Sequence, residues 1–220
     1  MKLPHYFRTT EGKFITFIVA LVVLSFAYYF YATGGRTSLP AKEIVVTEQD
    51  HVKGAAGAKV TLVEFADFQC PACAAYEPLV RQMVADNSDT VQLVFRHFPL
   101  TQIHKNALLG SKAAEAAAVQ GKFWEMHDLL FANQLEWSGA LNARDYMVAY
   151  ASTLGLDAKK FSDDLNNASI EERILAEYRE GINLGVQGTP TFFLNGKKIQ
   201  NPSSPEEFNK LIQDAAAVAK

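Results

Sequence analysis

The stretch VTLVEFADFQCPAC, residues 60–73, decides the fold. Its first six residues, VTLVEF, are β-branched or apolar apart from one acid, and read as a buried strand. Beyond the two cysteines, Tyr76, Leu79, Val80, Met83 and Val84 recur at helical spacing. The C-x-x-C therefore lies where a strand hands over to a helix. Cys70 becomes the N-cap and Pro71 the first helical residue, where a missing N–H costs nothing. The amides of Ala72 and Cys73 then point toward the Cys70 sulfur, as does the positive end of the helix dipole.

Such a position favours thiolate over thiol, moving a cysteine pKa from about 8.5 into the range of roughly 3.5–7.5. A stabilised thiolate is also a better leaving group, so its disulfide is a stronger oxidant. Cys70 is the expected attacking sulfur. Cys73, in the first turn and facing the domain, is the expected resolving sulfur. The chain has two cysteines in all, so this pair serves chemistry or a metal rather than a disulfide framework. Zinc needs about four ligands. There is no second C-x-x-C, and His97 and His104 lie on or just after the next strand, so no metal is expected. A disulfide closing so short a loop stabilises little.

Outward from this stretch, residues 87–89 form a turn and 91–98 (VQLVFRHF) a second strand. Residues 104–185 read as helical almost throughout. Within them, 142–154 end at Gly155, a suitable C′ residue, and Ser169 and Glu172 have the spacing of a capping box. A strand at 191–194 precedes Asn195-Gly196, a strong hairpin signal, and 197–200 pairs back. Ser204 caps a last helix that opens on Pro205. Strand, helix, strand calls for a parallel pair and a right-handed crossover. The result is an α/β sheet domain interrupted by a helical block.

The N-terminus carries a different signal. Residues 14–31 (FITFIVALVVLSFAYYFY) have no charge, Gly or Pro. As a helix they span about 27 Å at about 1.5 Å per residue, close to a bilayer core. Tyr28, Tyr29 and Tyr31 sit at the end where aromatic rings favour the interface. A cleaved signal ending near Ala32-Thr33-Gly34 competes, but the run is long and its end bulky, which favours an uncleaved anchor. Lys2, Arg8 and Lys13 before it bias residues 1–13 toward the cytoplasm. Residues 32–57 then read as a tether, and the domain beyond as extracytoplasmic, on a single-pass cell-membrane protein. With a net charge of −3 and interleaved lysines, arginines and acids, no nucleic-acid partner is expected. Nothing implies a cofactor.

The segments VEFADFQCPAC and GVQGTPTFFLNG, with the helical block between them, resemble the DsbA family of thioredoxin-fold oxidoreductases over about residues 58–218. The resemblance implies a thioredoxin fold built from 58–103 and 186–220, with a helical domain, 104–185, inserted. It places a cis proline at Pro190 beside the disulfide, whereas the residues alone read as an ordinary trans Thr189-Pro190 before an edge strand. Thr189 would then offer its backbone to an extended client. Glu64 corresponds to the family's upstream acid. In an apolar strand its pKa should rise, suiting it to take the Cys73 proton during resolution.

The resemblance also implies cysteine-containing client proteins and a redox partner, for which a membrane protein is a candidate. One departure stands out: strongly oxidising members carry histidine where this chain has Ala72. The expected role is donation of a disulfide to translocated proteins through a Cys70 mixed disulfide. A reductase or isomerase using the same dithiol, and a redox-inactive binding module, remain open. Among the aromatics Phe68, Phe98, Trp124 and Trp137, Phe68 is the expected client-contact residue because it lies just before Cys70. Trp124 reads as core of the inserted helices, His104 as a helix-start residue, and His127 receives no role.

Overall fold

In a computed structural model of the protein, residues 10–33, 44–55 and 57–219 are described. The chain divides into two units, the first ending at residue 42 and the second starting at residue 43. The first contains helix α1 (Thr10–Thr33). Its segment Phe14–Tyr31 has a mean hydropathy of 2.1, and none of it is buried against protein. A helix apolar on every face and unburied is long enough to cross a bilayer. The expected cytoplasmic segment, 1–13, falls mostly outside the described residues, as does 34–43 of the expected tether.

The second unit is built on a sheet in the order β1-β3-β2-β4-β5. The elements run β1 (His51–Gly54), β2 (Val60–Ala66), α2 (Pro71–Asp86) and β3 (Val91–His97). Six helices follow: α3 (Ala107–Ala118), α4 (Phe123–Ala132), α5 (Gln134–Trp137), α6 (Ala143–Thr153), α7 (Ala158–Asp164) and α8 (Ala168–Asn183). The chain then returns to the sheet with β4 (Thr191–Leu194) and β5 (Lys197–Lys198) and closes on α9 (Pro205–Val218). Strand β2 is central, parallel to β3 and antiparallel to β4. Both its faces are covered, which is why its sequence is nearly continuous in apolar residues.

One face packs Val60, Leu62 and Phe192 against Val80 and Met83 of α2 and Phe208 and Ile212 of α9. The other buries Val63, Phe65, Val94, Phe98 and Phe193, with Tyr178 of α8 partly buried beside them. Helix α8 comes this close because residue 181 is glycine: a Cβ there would fall 2.7 Å from the Phe98 ring and 3.1 Å from Phe65. The inserted helices have their own core, which runs on to both cysteines. In the β4–β5 turn Asn195 (φ 46) and Gly196 (φ 77) both take left-handed backbone, as a type I′ hairpin requires. The Asn195 Oδ1 also accepts the Thr61 N–H at 2.8 Å, fixing the turn against β2.

Three expectations need correction. The tether reading of 32–57 fails over its last part, because His51–Gly54 is an edge strand antiparallel to β3. Four residues of mixed polarity give no strand signal; pairing supplies it. Buried Arg96 holds the preceding segment down, donating to the Val45 carbonyl at 2.8 Å and to both carboxylate oxygens of Asp50. Helix α8 is capped by Asn167, whose side chain accepts the Ser169 N–H at 2.9 Å, not by a box starting at Ser169. The returning strand is confined to Lys197–Lys198. The caps at Ser204 and Gly155 are as the sequence suggests.

Candidate active site

Strand β2 ends at Ala66, and helix α2 begins at Pro71 after four intervening residues. Cys70 occupies the N-cap with extended backbone (φ −73, ψ 121) and Pro71 opens the helix. A turn closed by the Cys70 N–H donating to the Asp67 carbonyl at 3.0 Å makes the handover. Both cysteines are free, so this is the reduced dithiol. Cys70 is 7% exposed and Cys73 fully buried.

The two sulfurs have opposite acidities. The Cys70 thiol is lowered to about 5, chiefly by a hydrogen bond from the Cys73 thiol. Burial works against this, while the Thr189 hydroxyl and the amides of Cys73 and Ala72 add to it. That hydroxyl is buried and makes no hydrogen bond of normal geometry among the described residues. Cys73 moves well above the usual thiol range because of burial and the neighbouring Cys70 sulfur, with Glu64 adding to the effect and the Asp67 amide opposing it. At neutral pH the pair is one thiolate and one thiol.

Glu64 lies on the face of β2 that α2 covers and is 4% exposed. Burial, helped by the charge of Glu77, raises its carboxyl to about 8. It borders a cavity of about 10 Å³, together with Glu77, Val80, Trp124 and His127. That is room for about one water. A neutral carboxylic acid there can give or take one proton.

From the far end of the sequence, the peptide bond between Thr189 and Pro190 is cis. The Cys70 Sγ lies 3.4 Å from the Thr189 carbonyl oxygen, which accepts from this sulfur only in its protonated form. Cys70, Cys73, Glu64, Thr189 and Pro190 thus share one neighbourhood, with Pro71 and Ala72 forming the first turn above it.

Phe68 does not belong to the exposed surface expected of it. It is fully buried, stacked on Phe95 with ring centroids 5.0 Å apart and tilted against Phe131 at 4.9 Å. The inserted helices cover the end of β2, so proximity to Cys70 in sequence does not mean exposure. Trp137 and Phe98 are also buried. Trp124 is half-buried and donates from its indole N–H to the Val52 carbonyl at 3.2 Å, closing over the edge strand. His104 is tied to Asp67 at 2.6 Å and stands in a turn before α3.

Sequence reasoning missed two groups. Gln134, buried between sheet and insert, donates to the carbonyls of Phe68 and Cys70. A lone amide among Phe131, Leu130 and Trp137 was the available signal. The second group joins His51, His97 and Glu115. Both imidazole Nε2 atoms approach one Glu115 oxygen, at 2.6 and 2.9 Å, a spacing that also suits a metal ion. The Arg173 Nε donates to the same oxygen at 3.2 Å, so the chain brings its own cation to this carboxylate. The network ties β1, β3, α3 and α8 together.

The family description thioredoxin matches residues 46–214. Among solved structures, Wolbachia pipientis α-DsbA1 superposes with a TM-score of 0.72 at 19% identity, covering 80% of this chain and 95% of that one. A thioredoxin-like oxidoreductase from Silicibacter pomeroyi gives 0.64 at 26% identity, covering 78% and 92%. A curated relative, Na(+)/H(+) antiporter NhaA 3 of Salinispora tropica, is 42% identical over 173 residues, which are 79% of this chain and 26% of that protein. The chain spans about a quarter of the length of the curated relatives it matches. With the match covering most of the chain, and the sheet, insert and dithiol arranged as described, the protein belongs to the thioredoxin family and has the DsbA-like fold of thiol–disulfide oxidoreductases.

Proposed function

We propose that this protein is a membrane-anchored disulfide donor acting on translocated proteins. The observation that carries this reading is the Cys70 thiol, lowered to about 5 at the start of α2. A sulfur that is stable as thiolate leaves readily, so a Cys70–Cys73 disulfide gives up its oxidised state easily. A client thiolate attacks the Cys70 Sγ, forming the mixed disulfide and breaking the Cys70–Cys73 bond. The departing Cys73 sulfur takes a proton from Glu64, which is still protonated near neutral pH. A second client thiolate then attacks the client sulfur, releasing its disulfide and the Cys70 thiolate. The client loses two electrons and the protein gains two. A redox partner must remove them.

Helix α1 supports retention at the membrane, and similar segments in chains named as antiporters are in keeping with work there. The extracytoplasmic side is the compartment where donated disulfides persist. Protease added to spheroplasts should therefore cut the domain. The deciding experiment equilibrates the full chain with glutathione buffers and measures the potential of the dithiol. A value nearer about −120 mV than about −270 mV upholds the donor reading. A value at the lower end makes the protein a reductant despite its acidic thiol. Absence of a reversible two-electron couple leaves only a binding module.

A further inference from the structure

Gln134 is 4% exposed at the start of the four-residue helix α5. Its Nε2 donates to the Phe68 carbonyl at 2.7 Å and to the Cys70 carbonyl at 3.0 Å. A carboxamide nitrogen has two hydrogens, and both go to the carbonyls on either side of Gln69. The Cys70 carbonyl is also the first acceptor of α2, taking the Ala74 N–H at 3.2 Å.

The stitching runs in the other direction as well. Gln69 Oε1 accepts the Asn106 N–H at 2.7 Å, and Gln69 Nε2 donates to the Ser138 carbonyl at 2.7 Å. Asn106 Nδ2 in turn donates to the carbonyls of Ser138 and Ala140 at 3.1 and 3.0 Å. Residues 68–70 are thus held to the insert by side-chain amides, and Gln134 is the one that grips the N-cap cysteine.

We propose that Gln134 is a positioning residue for Cys70, through which the helical insert sets the reactivity of the dithiol. Holding the Cys70 carbonyl fixes rotation about the bond between Cα and carbonyl carbon. Pro71 fixes the next φ by its ring. Those two torsions determine where the Ala72 and Cys73 amides stand relative to the Cys70 sulfur. Without the clamp the amides wander from the thiolate and lose part of their hold on it. The side chain reaches only the backbone of the cysteine, so its effect passes through geometry. This rests on the reading of Cys70 and Cys73 as a redox couple.

The test uses the full chain in detergent, reduced, with Gln134→Met (similar length, no donor) and Gln134→Ala (space for water to reach both carbonyls). Alkylation rates against pH report the Cys70 thiolate, glutathione equilibration reports the couple, and thermal unfolding reports packing. In either variant that folds, the alkylation rate at pH 6 should fall at least about three-fold and its midpoint should move up. The glutathione equilibrium constant should shift at least about three-fold toward the disulfide. A variant with lowered Tm but both quantities within two-fold of wild type would show a merely structural glutamine and overturn the proposal. If wild type itself lacks an acidic thiol or a reversible couple, the functional reading fails instead, and the two failures are told apart.

Discussion

The Thr189 carbonyl oxygen lies 3.4 Å from the Cys70 sulfur although 119 residues separate them in the chain. A peptide laid along residue 189 would therefore pass beside the attacking sulfur. Both cysteines are buried, but Cys70 keeps 7% exposure and Cys73 none. When the Cys70 thiolate attacks an oxidised client, only Cys73 can displace that client from Cys70 within the protein, so a chain without Cys73 should keep the mixed disulfide. Cys73→Ser is expected to accumulate mixed disulfides with client proteins, seen as reducible high-mass bands on non-reducing gels. Cys70→Ser should show none, because Cys73 cannot reach a client. Equal trapping by both variants would contradict the assigned roles.

The acidity of Cys70 predicts a pH profile. Alkylation of the reduced chain should rise with a midpoint near pH 5 and stay flat to pH 8, with Cys73 unreactive in that window. The same shift bears on stability. A thiol whose folded pKa lies below its unfolded value stabilises the reduced fold above the unfolded pKa, and that stabilisation fades as pH falls through about 5. The disulfide form has no such ionisation. Reduced protein should thus melt higher than oxidised protein at pH 7, by several °C, and the gap should narrow toward pH 4. Calorimetry on both redox forms at the two pH values checks the sign.

Glu64 runs the opposite way. Its carboxyl is raised to about 8 from 4.5. Below about pH 4.5 both folded and unfolded chains carry the proton, and there is no cost. Between there and about pH 8 the unfolded chain releases it while the fold retains it, so stability drops as pH rises. At pH 7 the cost is about 3 kcal/mol. Glu64→Gln should recover about 2–3 kcal/mol at pH 7 and little at pH 4, read from unfolding curves. On the proposed cycle it should also slow the opening of the Cys70–Cys73 disulfide by a client thiolate by about ten-fold or more, since the departing Cys73 sulfur then has no carboxylic acid to protonate it. Glu64→Ala should slow it likewise. Unchanged single-turnover rates in both variants would leave Glu64 a structural residue.

Much of this was legible because it is local. The handover from VTLVEF to CPAC fixes strand, N-cap and helix through a β-branched apolar run, proline geometry and the helix dipole, all within 25 residues. The hairpin at Asn195-Gly196 is local too. What the sequence hid depends on contacts between distant segments. Strand β1 exists because β3 offers it an edge and Arg96 secures the segment before it. Phe68 looked exposed because nothing nearby in sequence shows that Phe95 and Phe131 close over it. Gln134 lies 64 residues from Cys70, and no period or spacing connects them. The cis bond before Pro190 is invisible in composition and came only through resemblance.

The network around Glu115 gives a last expectation, on how the edge strand is held. Burial disfavours the charge of this carboxylate, but hydrogen bonds from His51 and His97 outweigh it and hold its pKa well below the usual range. His51 moves the other way: burial lowers it below 6.5, against the pull of Glu115. Near pH 7 the arrangement is a carboxylate receiving two imidazole N–H groups and the Arg173 guanidinium. Glu115→Gln keeps the shape but removes the charge, leaving Arg173 without this partner and the two imidazoles without a strong acceptor. Breaking one side of a buried, bonded charge pair costs about 3–5 kcal/mol. Here Arg173 is partly exposed and also faces Glu177, so about 2 kcal/mol is the expected loss at pH 7. Because His51 sits in β1, the loss should be felt there first. Amide exchange across residues 51–54 should quicken in Glu115→Gln while β2 and β4 stay protected, and Cys70 reactivity should hold at the wild-type rate. Uniform faster exchange over the whole sheet would mean that Glu115 supports the domain at large rather than the edge strand.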